Sequence, residues 1–98
     1  MVQYYLETMQ GISTPWMIYH IPGRAAVEVT LETLRTIQSQ SPHFVGMKHA
    51  SADLGLVSRC MAELGSDIRI FAGLEEQSFP MMAVGACGLM NAAGNLLP

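Results

Sequence analysis

The sequence of 98 residues predicts an α/β fold in which helices alternate with four parallel strands. Apolar runs typical of strands alternate with segments of helical spacing, and connections of only a few residues join them. The strand-helix unit recurs every roughly 22 to 28 residues, as in a doubly wound sheet or a (β/α)8 barrel. Four strands cannot close a barrel of the common eight-stranded kind, so the sequence looks like half of one.

Composition narrows the class of protein. Half of the residues are apolar and 13% are charged, a high apolar share for one small domain, so the chain is expected to be buried in an assembly or to be part of something larger. The net charge is −3 and the basic residues are scattered singly, which argues against nucleic-acid binding. The sequence contains no run of about 18 apolar residues, so a membrane-spanning helix is not expected. The start of the chain lacks the pattern of a secretion signal.

A helix is predicted first and a strand second. Gly11 is suitably placed to end the helix. After a breaker at residues 13–15, the aromatic and apolar residues 16–19 predict a strand, and residues 20–24 are turn-like. The helical spacing is carried by Val2, Tyr5, Leu6 and Met9.

The second helix and second strand follow the same logic. Thr30 can cap the helix, which stops near Ser41 and Pro42. The apolar run that starts at Phe44 then predicts a buried strand with Lys48 at its carboxyl-terminal tip, although periodicity alone does not exclude a buried helix. One face of the helix would carry Leu31, Leu34 and Ile37.

The third helix begins at about residue 53 and ends at Gly65, and residues 68–72 predict the third strand, closed by Gly73. A helix before Gly85 can hold Pro80 only in its first turn. Residues 87–91 predict the fourth strand. The apolar face of the third helix comprises Leu54, Val57, Met61 and Leu64, and the fourth helix carries Phe79, Met82 and Ala83 after the acidic pair Glu75 and Glu76.

Lys48 is the candidate for chemistry, because it is the only lysine of the chain and is predicted at a strand tip. Ligands of parallel α/β folds bind at that edge, and a desolvated amine is a better nucleophile. Tyr19 is predicted at the same carboxyl-terminal tip of the preceding strand, so its phenol can relay protons beside the amine. The alternatives are a lysine whose ammonium reaches solvent and a core tyrosine bonded to the backbone.

Other polar residues carry weaker signals. Arg24, in the loop beyond Tyr19, can hold a carboxylate with both guanidinium nitrogens, or it is an ordinary solvated arginine. No metal site is expected, because histidine and cysteine lack ligand spacing. The expected alternatives are solvated or loop-bonded histidines at His20, His43 and His49 and buried free thiols at Cys60 and Cys87.

Four short motifs in chain order resemble those of the dihydrodipicolinate synthase and N-acetylneuraminate lyase superfamily. The match is nearly free of gaps across almost all of the chain. It implies that residues 1–98 are a single fragment of a (β/α)8 TIM barrel that contains strands five to eight and lacks the first half and the final helices. The motifs are Tyr-His-Ile-Pro-Gly-Arg at 19–24, Val-Gly-Met-Lys-His-Ala-Ser at 45–51 with Asp53, Ala-Gly at 72–73, and Gly-Ala-Cys-Gly-Leu-Met at 85–90 with Asn95.

The resemblance implies a lyase or aldolase that uses pyruvate. Lys48 would form a Schiff base with the keto carbon of pyruvate or a related 2-oxo acid, and the resulting enamine would add to an aldehyde. Tyr19 would relay protons, Arg24 would receive the carboxylate of the second substrate, and the Gly73 backbone and Met90 would line the pyruvate pocket. Relatives imply a cytoplasmic homotetramer that needs no metal or organic cofactor, and a chain that is weak or inactive without the barrel's first half.

Two departures from the family pattern concern the acceptor aldehyde. The synthase usually has asparagine where this chain has His20, and an acidic residue where it has His49. Other 2-oxo acid aldolases and dehydratases share the scaffold, so they remain alternatives to the synthase. A non-catalytic half-barrel that associates with a copy of itself or with a complementary half is a further alternative, since its strands would leave an apolar face and unpaired edges.

Overall fold

Four parallel strands form one sheet in the computed structural model, which describes residues 2–25, 28–65 and 67–96 without the side chains of residues 24 and 25. The order is β1-β2-β3-β4, so strands that follow one another in the chain are neighbours in the sheet. A doubly wound sheet would reverse this order at a switch point, so the arrangement is that of a barrel segment. The strands are β1 (Trp16–His20), β2 (Phe44–His49), β3 (Arg69–Ala72) and β4 (Gly88–Leu89).

Two helices begin at a capping side chain, one of which is the predicted cap Thr30. The Thr30 hydroxyl accepts the Thr33 N–H at 3.2 Å, and the Asp53 carboxylate accepts the Leu56 N–H at 3.0 Å. Of the helices in the described ranges, none has the length and apolar character needed to cross a membrane. They are α1 (Val2–Thr8), α2 (Pro22–Ala25), α3 (Leu31–Gln40), α4 (Leu54–Leu64) and α5 (Ser78–Ala83), with 3-10 helices at Glu75–Gln77 and Ala92–Asn95.

Two local predictions were wrong. Residues 20–24 are not a simple turn, because β1 continues through His20 and the one-turn helix α2 starts at Pro22, whose fixed φ suits a first helical position. The fourth strand covers only Gly88–Leu89 and not residues 87–91. It pairs only with the end of β3, where Gly88 is opposite Phe71 and Leu89 is opposite Ala72, so the ladder ends after two rungs.

The hydrophobic core lies between one face of the sheet and the helices. Side chains alternate along a strand, so Trp16, Ile18 and His20 of β1 are buried on this face while Tyr19 is 53% exposed on the other. We call the second face, which carries Met17, Tyr19, Lys48 and Phe71, the open face. The core comprises Trp16, Ile18, Val29, Leu34, Ile37, Phe44, Met47, Leu56, Val57, Cys60, Leu64, Ile68, Ile70, Ala72, Met81 and Ala86.

A β-bulge in β2 decides which face Lys48 joins. Trp16 is opposite Phe44, but the next residue of β1 is opposite Gly46, so β2 contains one extra residue at this point. Strict alternation from the buried Phe44 would turn Lys48 towards the core. Because the bulge shifts the alternation by one residue, Met47 is buried and Lys48 lies on the open face beside Tyr19.

Candidate active site

Lys48 and Tyr19 lie side by side at the carboxyl edge of the sheet. The two residues are partners in the β1–β2 register, and the Lys48 Nζ lies 4.0 Å from the centroid of the Tyr19 ring. An ammonium over an aromatic face is attracted by about 0.5–1 kcal/mol at an exposed site. The predicted meeting of amine and phenol ring is therefore confirmed, and the alternative of a core tyrosine bonded to the backbone is wrong.

Gly73 gives the Lys48 side chain room at the end of β3. A Cβ atom at residue 73 would lie 2.9 Å from the Ala50 Cβ and 3.2 Å from the Lys48 Cε. The Gly73 N–H also donates to the His49 carbonyl at 2.9 Å, which holds this backbone against the end of β2. The absence of a side chain at residue 73 thus lets the backbone approach the lysine stem closely.

The strand register continues the open face from Lys48 to β4. Phe71 of β3 is opposite Lys48 in the register, and Gly88 of β4 is opposite Phe71. A Cβ at residue 88 would lie 3.0 Å from the Phe71 Cε1, so the phenyl ring lies over this glycine. Lys48 therefore has the Tyr19 ring beside it, and its register partner on the other side is Phe71.

Met90 and Arg24 are the two remaining site candidates. Met90 follows β4 at the same edge, where its N–H donates to the Ala72 carbonyl at 2.9 Å and its side chain is 40% exposed. Arg24 belongs to α2, which follows β1, but its side chain lies outside the described part of the chain. The roles predicted for these two residues stay predictions.

Glu75 is an acidic group near the amine that the sequence analysis treated only as a helix-terminal residue. Its carboxylate accepts the Ala93 N–H at 3.0 Å and so connects the loops that follow β3 and β4. The N–H groups of Glu75 and Ala93 are the main cause that lowers the pKa of Glu75, and the positive charge of Lys48 contributes less. Its position directly after a strand that neighbours the Lys48 strand is the signal that was available in the sequence.

His20 and His49 form a buried hydrogen-bonded pair behind these residues. Their Nδ1 atoms are 3.0 Å apart, and 3% and 0% of the two residues is exposed. The Val29 N–H donates to the His20 Nε2 at 3.1 Å, and the His49 Nε2 donates to the Asp53 carbonyl at 3.0 Å. The expectation of loop-bonded histidines is confirmed here, and that of solvated histidines is wrong.

Each histidine of the pair directly follows Tyr19 or Lys48, and this shared position was the signal that the sequence offered. Because side chains alternate along a strand, His20 and His49 turn towards the helices and not towards the open face. The two departures from the family pattern therefore lie behind the candidate site and do not line it.

Burial holds both histidines in their neutral form. Burial is the main cause that lowers the pKa of His20, and the neighbouring His49 lowers it further, whereas the carboxylates of Glu28 and Asp53 oppose the shift. Burial likewise lowers the pKa of His49 against the hydrogen bond to the Asp53 backbone and the charge of its carboxylate. The pair is uncharged at neutral pH because desolvation of an imidazolium outweighs these attractions.

We expect the chain to lose stability as the pH falls below 6.5, the ordinary pKa of histidine. Between pH 6.5 and the lower pKa values of the folded pair, the unfolded chain binds more protons than the folded chain. The contribution of the pair to stability is therefore complete above pH 6.5 and declines as the pH falls. Each histidine contributes a slope of at most about 1.4 kcal/mol per pH unit. Urea denaturation at about pH 7.5 and about pH 5.5 measures the change, and equal stabilities at both values would contradict it.

Two surface hollows lie at the other edge of the sheet. They have volumes of about 480 and 460 Å³ and are lined by residues near the amino ends of the strands, such as His43 in the first and Phe44 and Asp67 in the second. In the described ranges no three histidine, cysteine or acidic side chains are grouped to hold a metal ion. Cys60 is buried as expected, but Cys87 is exposed, because the short β4 begins only after it.

Comparison with known proteins agrees with this arrangement. A family model described as the dihydrodipicolinate synthetase family matches residues 1–98. A 4-hydroxy-tetrahydrodipicolinate synthase of Thermus thermophilus is 40% identical over 97 residues, which cover 98% of this chain and 32% of the relative. The corresponding enzyme of Oleidesulfovibrio alaskensis is 32% identical over 96 residues. The chain spans about a third of the length of the curated relatives it matches.

Solved structures give the same result for the fold. The crystal structure of dihydrodipicolinate synthase from Aquifex aeolicus matches with a TM-score of 0.94 and 28% identity, over 99% of this chain and 33% of that one. A chloride-inhibited dihydrodipicolinate synthase from Acinetobacter baumannii, complexed with pyruvate, matches with a TM-score of 0.89, 25% identity and the same coverage. The four-stranded sheet is thus part of the TIM barrel of these enzymes, and the chain belongs to the dihydrodipicolinate synthetase family.

Proposed function

We propose that the chain forms strands five to eight of a pyruvate-dependent Schiff-base aldolase or lyase, most like 4-hydroxy-tetrahydrodipicolinate synthase. The observation that carries the proposal is the position of the only lysine, at the carboxyl edge of a parallel sheet with its amine against the Tyr19 ring. Relatives that bear the synthase name and the pyruvate complex of the Acinetobacter baumannii structure support it. Residues 1–98 act as one fragment of a cytoplasmic homotetramer in this proposal.

Lys48 is the nucleophile in the proposed reaction. Its neutral amine attacks the keto carbon of pyruvate, forms a carbon-nitrogen bond and gives a carbinolamine, which loses water to become an iminium. Loss of a proton from the adjacent methyl group then gives an enamine, since the iminium accepts the electron pair. The enamine forms a carbon-carbon bond to the aldehyde carbonyl, and hydrolysis of the new iminium frees the product and the lysine.

Tyr19 is the proton relay in this scheme. The phenol takes the proton that the attacking amine gives up and delivers it to the hydroxyl group that leaves as water. In the structure the amine lies against the face of the ring. A lysine side chain has a flexible four-carbon stem, so a small rotation brings the amine from the ring face towards the phenol oxygen and the bound keto acid.

The other candidates serve substrate binding in the proposal. The backbone near Gly73 and the Met90 side chain line the space for pyruvate, and their positions at the same strand edge as Lys48 support this role. Arg24 binds the carboxylate of the aldehyde substrate, for which a planar guanidinium is well suited. The scheme uses no metal or organic cofactor, since the lysine itself provides the electron sink after it reacts.

Borohydride trapping with pyruvate tests the proposal. We expect the 98-residue chain, once joined behind the preceding part of the Thermus thermophilus relative, to gain a pyruvate adduct that peptide mapping places on Lys48. The unfused chain should give little adduct, because the family resemblance implies that the chain is weak or inactive without the first half of the barrel. Intact mass spectrometry measures both adducts.

The controls separate the chemistry from non-specific reduction. Omission of either pyruvate or borohydride should leave the mass unchanged, and lysines that the fusion partner contributes should remain unmodified in the peptide map. A folded fusion that gives no adduct on Lys48 would overturn the Schiff-base proposal. An unfused chain as reactive as the fusion would instead overturn the assigned need for the first half of the barrel.

A further inference from the structure

Each proton of the His20–His49 pair can be assigned from its hydrogen-bond partners. The Val29 N–H is a donor, so the His20 Nε2 that it contacts at 3.1 Å must be an acceptor without a proton. A neutral His20 therefore carries its proton on Nδ1. The Asp53 carbonyl is an acceptor, so the His49 Nε2 at 3.0 Å must carry the proton of that ring. The His20 Nδ1–H then donates to the bare His49 Nδ1 at 3.0 Å.

We propose that this pair consists of positioning residues that keep Tyr19 and Lys48 in contact at the edge of the sheet. His20 and His49 are opposite each other in the register, one residue beyond the Tyr19 and Lys48 partners. Their mutual hydrogen bond therefore joins the ends of β1 and β2 behind the two candidate catalytic residues. The pair holds Tyr19 and Lys48 in contact whatever the reaction, and only the effect of this contact on catalysis rests on the proposed function.

The outer bonds of the pair reach the loops that follow both strands. His20 holds the backbone of Val29, which lies just before α3, and His49 holds that of Asp53, whose carboxylate caps α4. The line of bonds thus connects the start of α3, the ends of two strands and the start of α4. Loss of the bond between the two rings would release the strand ends that carry Tyr19 and Lys48, whereas loss of an outer bond would release only a loop.

The pair can act in this way only while both rings are neutral. A further proton on the His20 Nε2 would face the Val29 N–H, and one on the His49 Nδ1 would face the His20 Nδ1–H. In the described part of the chain, the carboxylates of Glu28 and Asp53 are the charged groups that act on the pair, and they favour such a proton. Burial opposes it more strongly, so the assigned protons persist at neutral pH.

Two amide substitutions of His49 separate the bonds of the pair. The amide of asparagine lies close to the position of Nδ1, so His49→Asn keeps an acceptor for the His20 Nδ1–H and loses the bond to Asp53. The longer His49→Gln reaches the position of Nε2, keeps the bond to Asp53 and removes the acceptor for His20. His43→Gln, which changes the remaining histidine of the chain, is the control.

The measurement is the NMR signal of the Lys48 ε-methylene in the full 98-residue chain, which is a single signal because the chain has one lysine. The Tyr19 ring 4.0 Å from Nζ should shift it upfield in the wild type, in His49→Asn and in His43→Gln. In His49→Gln it should return to the unfolded position while core methyl signals such as those of Ile18 and Ile70 stay native. An unchanged Lys48 signal in folded His49→Gln would overturn the proposal.

A second measurement tests the assigned hydrogen bond between the two rings even if His49→Gln does not fold. Long-range ¹H–¹⁵N spectra of the wild type near neutral pH should show His20 protonated on Nδ1 and His49 on Nε2, and any other pattern would overturn the proposal. In the fused protein, trapping at Lys48 should be roughly ten- to a hundredfold slower in His49→Gln than in His49→Asn. Absence of trapping in the wild type would count against the proposed function and would leave the NMR test of positioning intact.

Discussion

Replacing Lys48 with arginine should abolish the pyruvate adduct in the fused protein. A guanidinium stays protonated in proteins and does not attack a carbonyl, so no carbon-nitrogen bond can form. It nevertheless keeps a positive charge that can lie against the Tyr19 ring, which preserves the contact seen for the Lys48 ammonium. Borohydride trapping, read by intact mass, should therefore show the unmodified protein only, while the denaturation midpoint stays close to that of the wild type.

Tyr19→Phe is the matched control for this loss. It keeps the lysine and the aromatic ring beside it but removes the phenol oxygen, so an adduct should still form on Lys48, about 10²- to 10⁴-fold more slowly. An adduct of the Lys48→Arg protein at the wild-type level would show that another group carries the chemistry. An adduct of Tyr19→Phe formed at the wild-type rate would remove Tyr19 from the proposed proton relay.

Gly46→Ala should unfold the chain or destabilise it by roughly 4 kcal/mol. A Cβ atom at residue 46 would lie 1.8 Å from the carbonyl oxygen and 2.7 Å from the carbonyl carbon of Arg69 in β3. Both atoms belong to the backbone of the neighbouring strand, so no flexible side chain can move aside. The clash would separate β2 from β3 at the bulge, and urea denaturation monitored by circular dichroism measures the loss.

Gly23→Ala provides the comparison, because a Cβ built at residue 23 of the helix α2 has no described atom within 4 Å apart from its chain neighbours and its own helix backbone. This variant should match the wild type or gain up to about 1 kcal/mol through a less flexible unfolded chain. If Gly46→Ala had the denaturation midpoint of Gly23→Ala, the close approach between the two strands would not exist in solution.

The sequence predicted α1, α3, α4 and α5 because the signals of these helices are local. It missed the one-turn helix α2, and only part of the predicted apolar face of α4 is buried. Leu34 and Ile37 recur at helical spacing and are buried in α3, and the caps Thr30 and Asp53 lie directly before the helices that they start. The alternation of elements also predicted parallel strands, since a strand joined to the next by a helix returns in the same direction. These features depend on residues close together in the chain.

Other features depend on contacts between strands and could not be predicted in this way. The bulge at Gly46 is visible only in the pairing of β2 with β1. Strict alternation from Phe44 would have placed Lys48 in the core. The His20–His49 bond joins residues that are 29 positions apart in the chain. Neither ring belongs to a motif with a known spacing, so the pair becomes visible only when the register of the two strands is known.

The bulge also places the candidate catalytic lysine on a different face of the sheet from the hydrophobic core. The described core cluster lies on the helix side of the sheet, whereas Tyr19, Lys48 and Phe71 lie on the open face. In the proposed enzyme, substitutions beside the Lys48 amine should therefore change reactivity while the core cluster on the helix side stays packed. The proposed site could thus adapt to a different acceptor while the packing between the sheet and the helices remains unchanged.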